Sequence, residues 1–136
     1  TDSMNLTKGT SPFYSAWLDT QENDFLRAKD AIIERDFWKL ARISEHNCLK
    51  MHSTILTAKP PHFYWNPSTV KILHQVKKIQ EKGLHVFFTI DAGPQVKLIC
   101  DPSDTQLILE QFESMHDIAK KIVTKVGGEP RIERLT

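Results

Sequence analysis

The sequence predicts an α+β fold: a two-layer sandwich of about four helices on a mostly antiparallel, four-stranded sheet. Three observations predict it. A capping residue stands directly before a proline at Ser11-Pro12, Asn66-Pro67 and Asp101-Pro102, each time ahead of apolar residues at helical spacing. A β-branched and aromatic run, Leu84 to Ile90, reads as a strand and stops at Asp91-Ala92-Gly93-Pro94. A second strand-like run, Val96 to Cys100, follows at once, so the two should form a hairpin.

The elements follow in chain order. Ser3 to Lys8 reads as a short strand. A first helix should run from Pro12 to Glu34, with Trp17, Phe25, Ala28 and Ile32 as its apolar stripe and the polar stretch Asp19 to Asp24 as a point of interruption. Asp36 caps a second helix, whose face carries Leu40, Ile43, Asn47, Met51 and Ile55. Pro60-Pro61 ends it, because proline donates no N–H and disfavours helix at the residue before it. The loop to Asn66 carries Phe63, Tyr64 and Trp65. A third helix should run from Pro67 to Lys82 on Val70, Leu73, Val76 and Ile79, with Gly83 as its stop. Asp101 opens a fourth helix through Leu107, Ile108, Gln111 and Phe112. Ile118, Ile122, Val123 and Val126 lead to Gly127-Gly128 and Ile132, read as one or two closing strands.

Composition bounds the function. The 136 residues suit one domain with a core that needs neither disulfide nor metal. Lys plus Arg number 18 against 17 Asp plus Glu, a net charge of +1, so no overall field recruits nucleic acid or an anionic membrane. Cys48 and Cys100 lie outside any metal or redox motif and fit a reducing cytoplasm. No apolar run approaches the ~20 residues that span a bilayer. The first residues lack the basic and apolar regions of a signal peptide, and the only early methionine is Met4, so the chain reads as a fragment or as one that begins mid-protein.

Candidate chemistry is sparse. No Gly-rich phosphate loop, nucleophile elbow or metal-ligand spacing is present, and no metal ligand is assigned. Asp91 is the most informative residue. A rigid strand runs into a carboxylate, and Ala92 and Gly93 then leave room for a ligand to approach the main chain. The plainer role, Asp91 capping its own tight turn, is the commoner one for such spacing. His52, near Cys48 and Leu56 on the second helix, reads as a packed histidine. Phe63-Tyr64-Trp65, next to Pro60-Pro61, fits the lining of a pocket or an interface, and more often such a cluster is a core plug.

An ordered series of motifs narrows this. Thr10-Ser11-Pro12-Phe13-Tyr14 with Trp17, Arg35-Asp36-Phe37, Asn47 through Lys50-Met51-His52, Pro60 through Trp65, and Phe87 through Lys97 occur in that order and spacing. From Ser3 to Phe112 the chain resembles the mevalonate diphosphate decarboxylases of the GHMP small-molecule kinase superfamily. The resemblance implies the C-terminal domain, of GHMP kinase type, of a two-domain enzyme whose ATP-binding N-terminal domain is absent from this chain. It implies ATP-dependent decarboxylation of mevalonate 5-diphosphate to isopentenyl diphosphate, with ATP and Mg²⁺ held mainly by the other half and a homodimer as the assembly. Asp91, in the D-A-G-P match, is then the catalytic aspartate, with Ala92, Gly93 and Met4 against the substrate. Gln95 stands where the family usually has Asn, and Ile90 where it usually has Met. A decarboxylase acting on mevalonate monophosphate, and a non-catalytic module that binds a small anion or mediates dimerisation, are the alternatives.

Overall fold

The computed structural model describes residues 2–129, with side chains from residue 5 onward. Five helices and one hairpin follow in order: α1 (Asp2–Thr10), α2 (Tyr14–Ile33), α3 (Phe37–Leu56), α4 (Pro67–Glu81), β1 (Val86–Ile90), β2 (Val96–Cys100), a 3-10 turn (Pro102–Asp104) and α5 (Thr105–Glu110). The fold is α+β, as expected. β1 and β2 pair antiparallel with Val86 opposite Cys100 and Ile90 opposite Val96.

Local chemistry accounts for most boundaries. The Asp36 carboxylate accepts from Lys39 N at 2.8 Å and starts α3. At Asn66 a reciprocal capping box forms: Asn66 Oδ1 accepts from Thr69 N at 2.8 Å, and Thr69 Oγ1 accepts from Asn66 N at 3.3 Å. Gly83, at φ 84, turns the chain out of α4 into β1, a conformation that favours glycine. Arg35 does the same after α2 at φ 57, with Asp36 N donating back to Ala31 O at 2.9 Å.

The core lies where α3 and α4 cover β1. Val76, Ile79, Val86, Phe88 and Ile90 are all buried there, and Ile108 and Phe112 close it from below. β1 is buried along nearly its whole length, whereas β2 alternates half-buried Val96, Leu98 and Cys100 with exposed Lys97 and Ile99. At the start of β1, Phe87 and His85 pack against Phe37 with ring centroids 5.5 and 5.1 Å away.

Several expectations are corrected. Ser3 to Lys8 belongs to a helix, not a strand: Thr10 Oγ1 bonds Leu6 O one turn back at 2.8 Å, and Thr7 is buried. Six residues with a single leucine carry too little period to decide this alone, and docking onto α3 decides it. Among the described residues the sheet has two strands rather than four. Residues 115–129 carry no strand, and Ile122, Val123 and Val126 stay exposed without a pairing partner in the sheet; the last part of the expected closing strands lies outside the described residues. α2 starts at Tyr14 because Pro12 sits in the turn, where Ser11 Oγ accepts from Phe13 N at 3.3 Å. Asp19 to Asp24 does not interrupt it. The helix expected after Asp101 is a 3-10 turn followed by a short helix that ends at Glu110, leaving Gln111 and Phe112 in turns.

Candidate functional site

The hairpin places Asp91 as the first residue beyond β1. Register allows only Asp91 to Gln95 between the paired Ile90 and Val96. Gly93 N donates to Asp91 O at 2.8 Å, which bends the chain tightly there. The Asp91 carboxylate does not cap that turn. It pairs with Lys97 Nζ on β2, and its side chain is 77% exposed. An ion pair in solvent is weak, on the order of 0–1 kcal/mol. A ligand can therefore displace it at little cost. Ala92 is exposed and Gly93 half-buried beside it. A Cβ on Gly93 would meet Gln95 Oε1, so the longer amide at position 95 lies over that backbone. Met4 falls in the first turn of α1, and its side chain lies outside the described residues.

The turn is held from behind. Alternate backbone groups of β1 face away from β2, and polar side chains of the helices meet them. Gln80 Nε2 donates to Val86 O at 2.8 Å, and Glu45 Oε1 accepts from Phe88 N at 3.4 Å. At Ile90, the residue before Asp91, Cys48 Sγ accepts from the backbone N–H at 3.3 Å and His52 Nε2 lies 3.1 Å from the carbonyl oxygen. A carbonyl only accepts, so Nε2 carries the proton. Glu45, Cys48 and His52 stand at i, i+3 and i+7, one face of α3. At the far end of the turn, Thr69 Oγ1 donates to Pro94 O at 2.9 Å. The free edge of β1 is thus covered by side chains rather than by a third strand.

Burial pushes the His52 imidazole below its ordinary value of 6.5, against the pull of Ile90 O and the Asp91 charge, so the ring is neutral at pH 7. The ring packs at a tilt against Trp65, centroids 4.9 Å apart and planes 50° apart, with Tyr64 edge-on at 6.3 Å. Burial likewise raises the Cys48 thiol, which keeps it protonated and unsuited to attack. Phe63 is exposed and takes no part in the plug.

In front of Asp91 an open cleft of about 380 Å³ lies between α2, α3 and the end of β1, bordered by Trp17, Gln21, Asp24, Asn47, Met51 and Asp91. A polar network lines it. Asn47 Nδ2 donates to Gln21 Oε1 at 3.1 Å and Asp24 Oδ2 at 3.0 Å, and Lys50 Nζ reaches Thr20 Oγ1 at 2.7 Å and pairs with Asp24. Burial alone would raise the Asp24 carboxyl. The hydrogen bonds from Lys50 and Asn47 and the Lys50 charge outweigh it and hold the group below its ordinary 3.8. Among the described residues no group of three His, Cys, Asp or Glu could hold a metal ion, and no helix is long and apolar enough to cross a membrane.

Sequence reasoning placed Asp91 at the end of the first strand, where it lies, and put His52 in a packed role, which the burial bears out. It missed the bonds from Cys48, His52 and Thr69 to the turn, and the Asp24–Lys50–Asn47 network. The i, i+3, i+7 spacing of Glu45, Cys48 and His52 was the available signal.

Comparison with known proteins adds family context. A family model described as the mevalonate 5-diphosphate decarboxylase C-terminal domain matches residues 1–134. A diphosphomevalonate decarboxylase of Candida albicans is 28% identical over 110 residues, covering 80% of this chain and 30% of that protein. The solved mevalonate diphosphate decarboxylase from Enterococcus faecalis superposes with a TM-score of 0.81 at 37% identity, over 87% of this chain and 36% of that one. A structure described as MDDEF in complex with MVAPP, AMPPCP and magnesium superposes at 0.80 with 39% identity, over 87% and 36%. The chain thus spans about a third of the length of these relatives.

Proposed function

The chain belongs to the mevalonate 5-diphosphate decarboxylase family, and from that premise we propose that it is the C-terminal domain of an enzyme that decarboxylates mevalonate 5-diphosphate to isopentenyl diphosphate at the expense of ATP. The observation that carries this reading is the Asp91 carboxylate: it stands exposed at the end of a buried strand, beside a cleft, with only a solvent ion pair to give up.

The chemistry requires such a group. The tertiary 3-hydroxyl of the substrate is a poor nucleophile. A carboxylate within hydrogen-bond reach orients it and takes its proton as the bond to the γ-phosphorus of ATP forms and ADP leaves with the electron pair of the bond that breaks. Asp91, exposed to solvent, passes that proton on; phosphate then leaves with the C–O bonding pair, so positive charge develops at the tertiary carbon, and the regenerated carboxylate stabilises it. Loss of carbon dioxide returns an electron pair to that carbon as the double bond. Ala92 and Gly93 border the substrate in this reading, as does Met4. The described residues of this chain offer neither a phosphate loop nor a metal cluster, so ATP and Mg²⁺ fit an N-terminal half of the whole protein rather than this domain. The complex of the related decarboxylase with MVAPP, AMPPCP and magnesium supports both as participants. A soluble cytoplasmic homodimer is part of the same proposal.

The test measures carbon dioxide and ADP release from mevalonate diphosphate, ATP and Mg²⁺ by the complete gene product that carries this chain. Asp91→Asn should lower turnover about 10²–10⁴-fold while leaving the fold intact. Near-normal turnover in that variant would remove Asp91 from catalysis. Turnover by the unaltered protein on mevalonate monophosphate alone would change the substrate assignment.

A further inference from the structure

The turn that carries Asp91 is gripped at both ends by buried polar side chains from two helices. We infer that His52, with Cys48, and Thr69 are positioning residues for Asp91, holding the Ile90 and Pro94 backbone so that the carboxylate meets the substrate hydroxyl in one geometry. This rests on the reading of Asp91 given above.

Geometry makes the case. At the Ile90 end, His52 Nε2–H donates to the carbonyl at 3.1 Å, and Cys48 Sγ accepts from the N–H at 3.3 Å. At the Pro94 end, Thr69 Oγ1 donates to the carbonyl at 2.9 Å. Only three residues separate these anchors, so Asp91 has little freedom left. His52 is 2% exposed and Thr69 1%. Buried polar groups weaken a core unless they bond something, and an apolar residue would fill the place of His52 at lower cost; Thr69 serves the α4 capping box as well as the turn. Both groups bond the one turn that carries the candidate catalytic carboxylate.

The grip is itself braced. Trp65 at 4.9 Å and Tyr64 at 6.3 Å brace the His52 ring, so these two aromatic side chains act on Asp91 through His52. Thr69 is locked at the third position of α4 by its capping box with Asn66. The carboxylate itself is tied only to Lys97 in solvent. The backbone is thus held rigidly and the side chain is left free to engage, which is what proton transfer to a held base needs.

The experiment uses the complete protein and compares His52→Leu, His52→Asn and His52→Gln, with Asp91→Asn beside them. The Gln amide reaches where Nε2 reaches; the Asn amide stops short, and Leu offers no donor. Positioning predicts that kcat falls about ten- to a hundredfold in the Leu and Asn variants at nearly unchanged KM, with kcat restored in His52→Gln. Values are normalised to folded protein by thermal melts. At the other end, Thr69→Val should lower kcat and Thr69→Ser keep it. Unchanged kcat in His52→Leu overturns the inference, as does an equal loss in His52→Gln, or a loss wholly explained by unfolding. If His52→Leu is too unstable to assay, His52→Asn against His52→Gln decides. If Asp91→Asn is inactive while His52 variants are normal, only the positioning role fails. If Asp91→Asn turns over normally, the functional reading beneath it fails first.

Discussion

The two sides of α3 are built on different terms. Toward β1 and α4 it closes an apolar core in which Val76, Ile79, Phe88 and Ile90 are all at most 2% exposed, and the polar groups that intrude, Glu45 and His52, bond the strand edge. Toward α2 it meets a polar seam of Gln21, Asp24, Asn47 and Lys50. α2 is correspondingly turned outward: Leu26, Ile32 and Ile33 are 50–69% exposed on its other face, while exposed Phe25 borders the cleft. The β1 side is specified by burial, which is strong and undirected. The α2 side is specified by hydrogen bonds and charge, which are weaker and fix geometry. Asp91 stands where the two meet, with its backbone on the rigid side and its carboxylate toward the open one.

That contrast makes graded predictions. The largest effect belongs to the apolar side: Phe88→Ala should destabilise by about 3–5 kcal/mol, seen as a lower urea midpoint. A loss under about 1 kcal/mol would mean the core is looser than its burial implies. Next comes the seam. Lys50→Met strands the Asp24 carboxylate among half-buried groups and should cost about 1–3 kcal/mol, of which adding Asp24→Asn recovers a substantial part. Strict additivity of the two changes would show that the pair is not coupled.

Acid should separate the two sides in sequence. The His52 value is lowered in the folded chain, so above 6.5 both folded and unfolded forms are neutral and stability is full. Below 6.5 the unfolded form gains the proton first, and stability declines as pH falls toward the lowered folded value. Asp24, also lowered, contributes stability above 3.8 that is lost as pH falls through its folded value. Denaturation midpoints against pH should therefore show a shallow loss below 6.5 that His52→Gln reduces, then a second loss below 3.8 that Asp24→Asn reduces, the rest coming from the other lowered carboxyls, Asp101 and Asp117. The smallest effect belongs to the outward face: Ile32→Ser and Ile33→Ser should shift stability by no more than about 0.5 kcal/mol, because those side chains are already in water. A larger loss in a melt of the complete protein would mean that something covers this face there.

Much of this was legible in the sequence, unevenly. Asp36, Asn66 and Gly83 marked their boundaries because a cap bonds the backbone three residues away and a positive φ is a property of one residue. Asp91 was legible because a strand, a breaker and a second strand sit within a few residues. The stripe expected on α2 was misleading: Trp17 and Ala28 turn partly inward, but Phe25 and Ile32 face out, and buried Asp24 and Ala31 mark the inner face instead. Periodicity says which residues share a face, not which face is covered. The apolar patch from Ile118 to Val126 and the residues after it read as one or two closing strands around Gly127-Gly128, yet among the described residues no neighbour supplies the ladder.

By itself the sequence determined the helix caps at Asp36 and Asn66, the hairpin and the position of Asp91, together with the ordered motifs that resemble one family. Each of these depends on contacts within a few residues or on the order of residues along the chain. Only the tertiary structure decided that Ser3 to Lys8 is helical, that α2 faces its neighbour with Asp24, and that His52, 38 residues away, and Cys48, 42 residues away, meet Ile90. Those outcomes follow from which surfaces end up covered and which backbone groups remain unpaired, and both are properties of the packed chain.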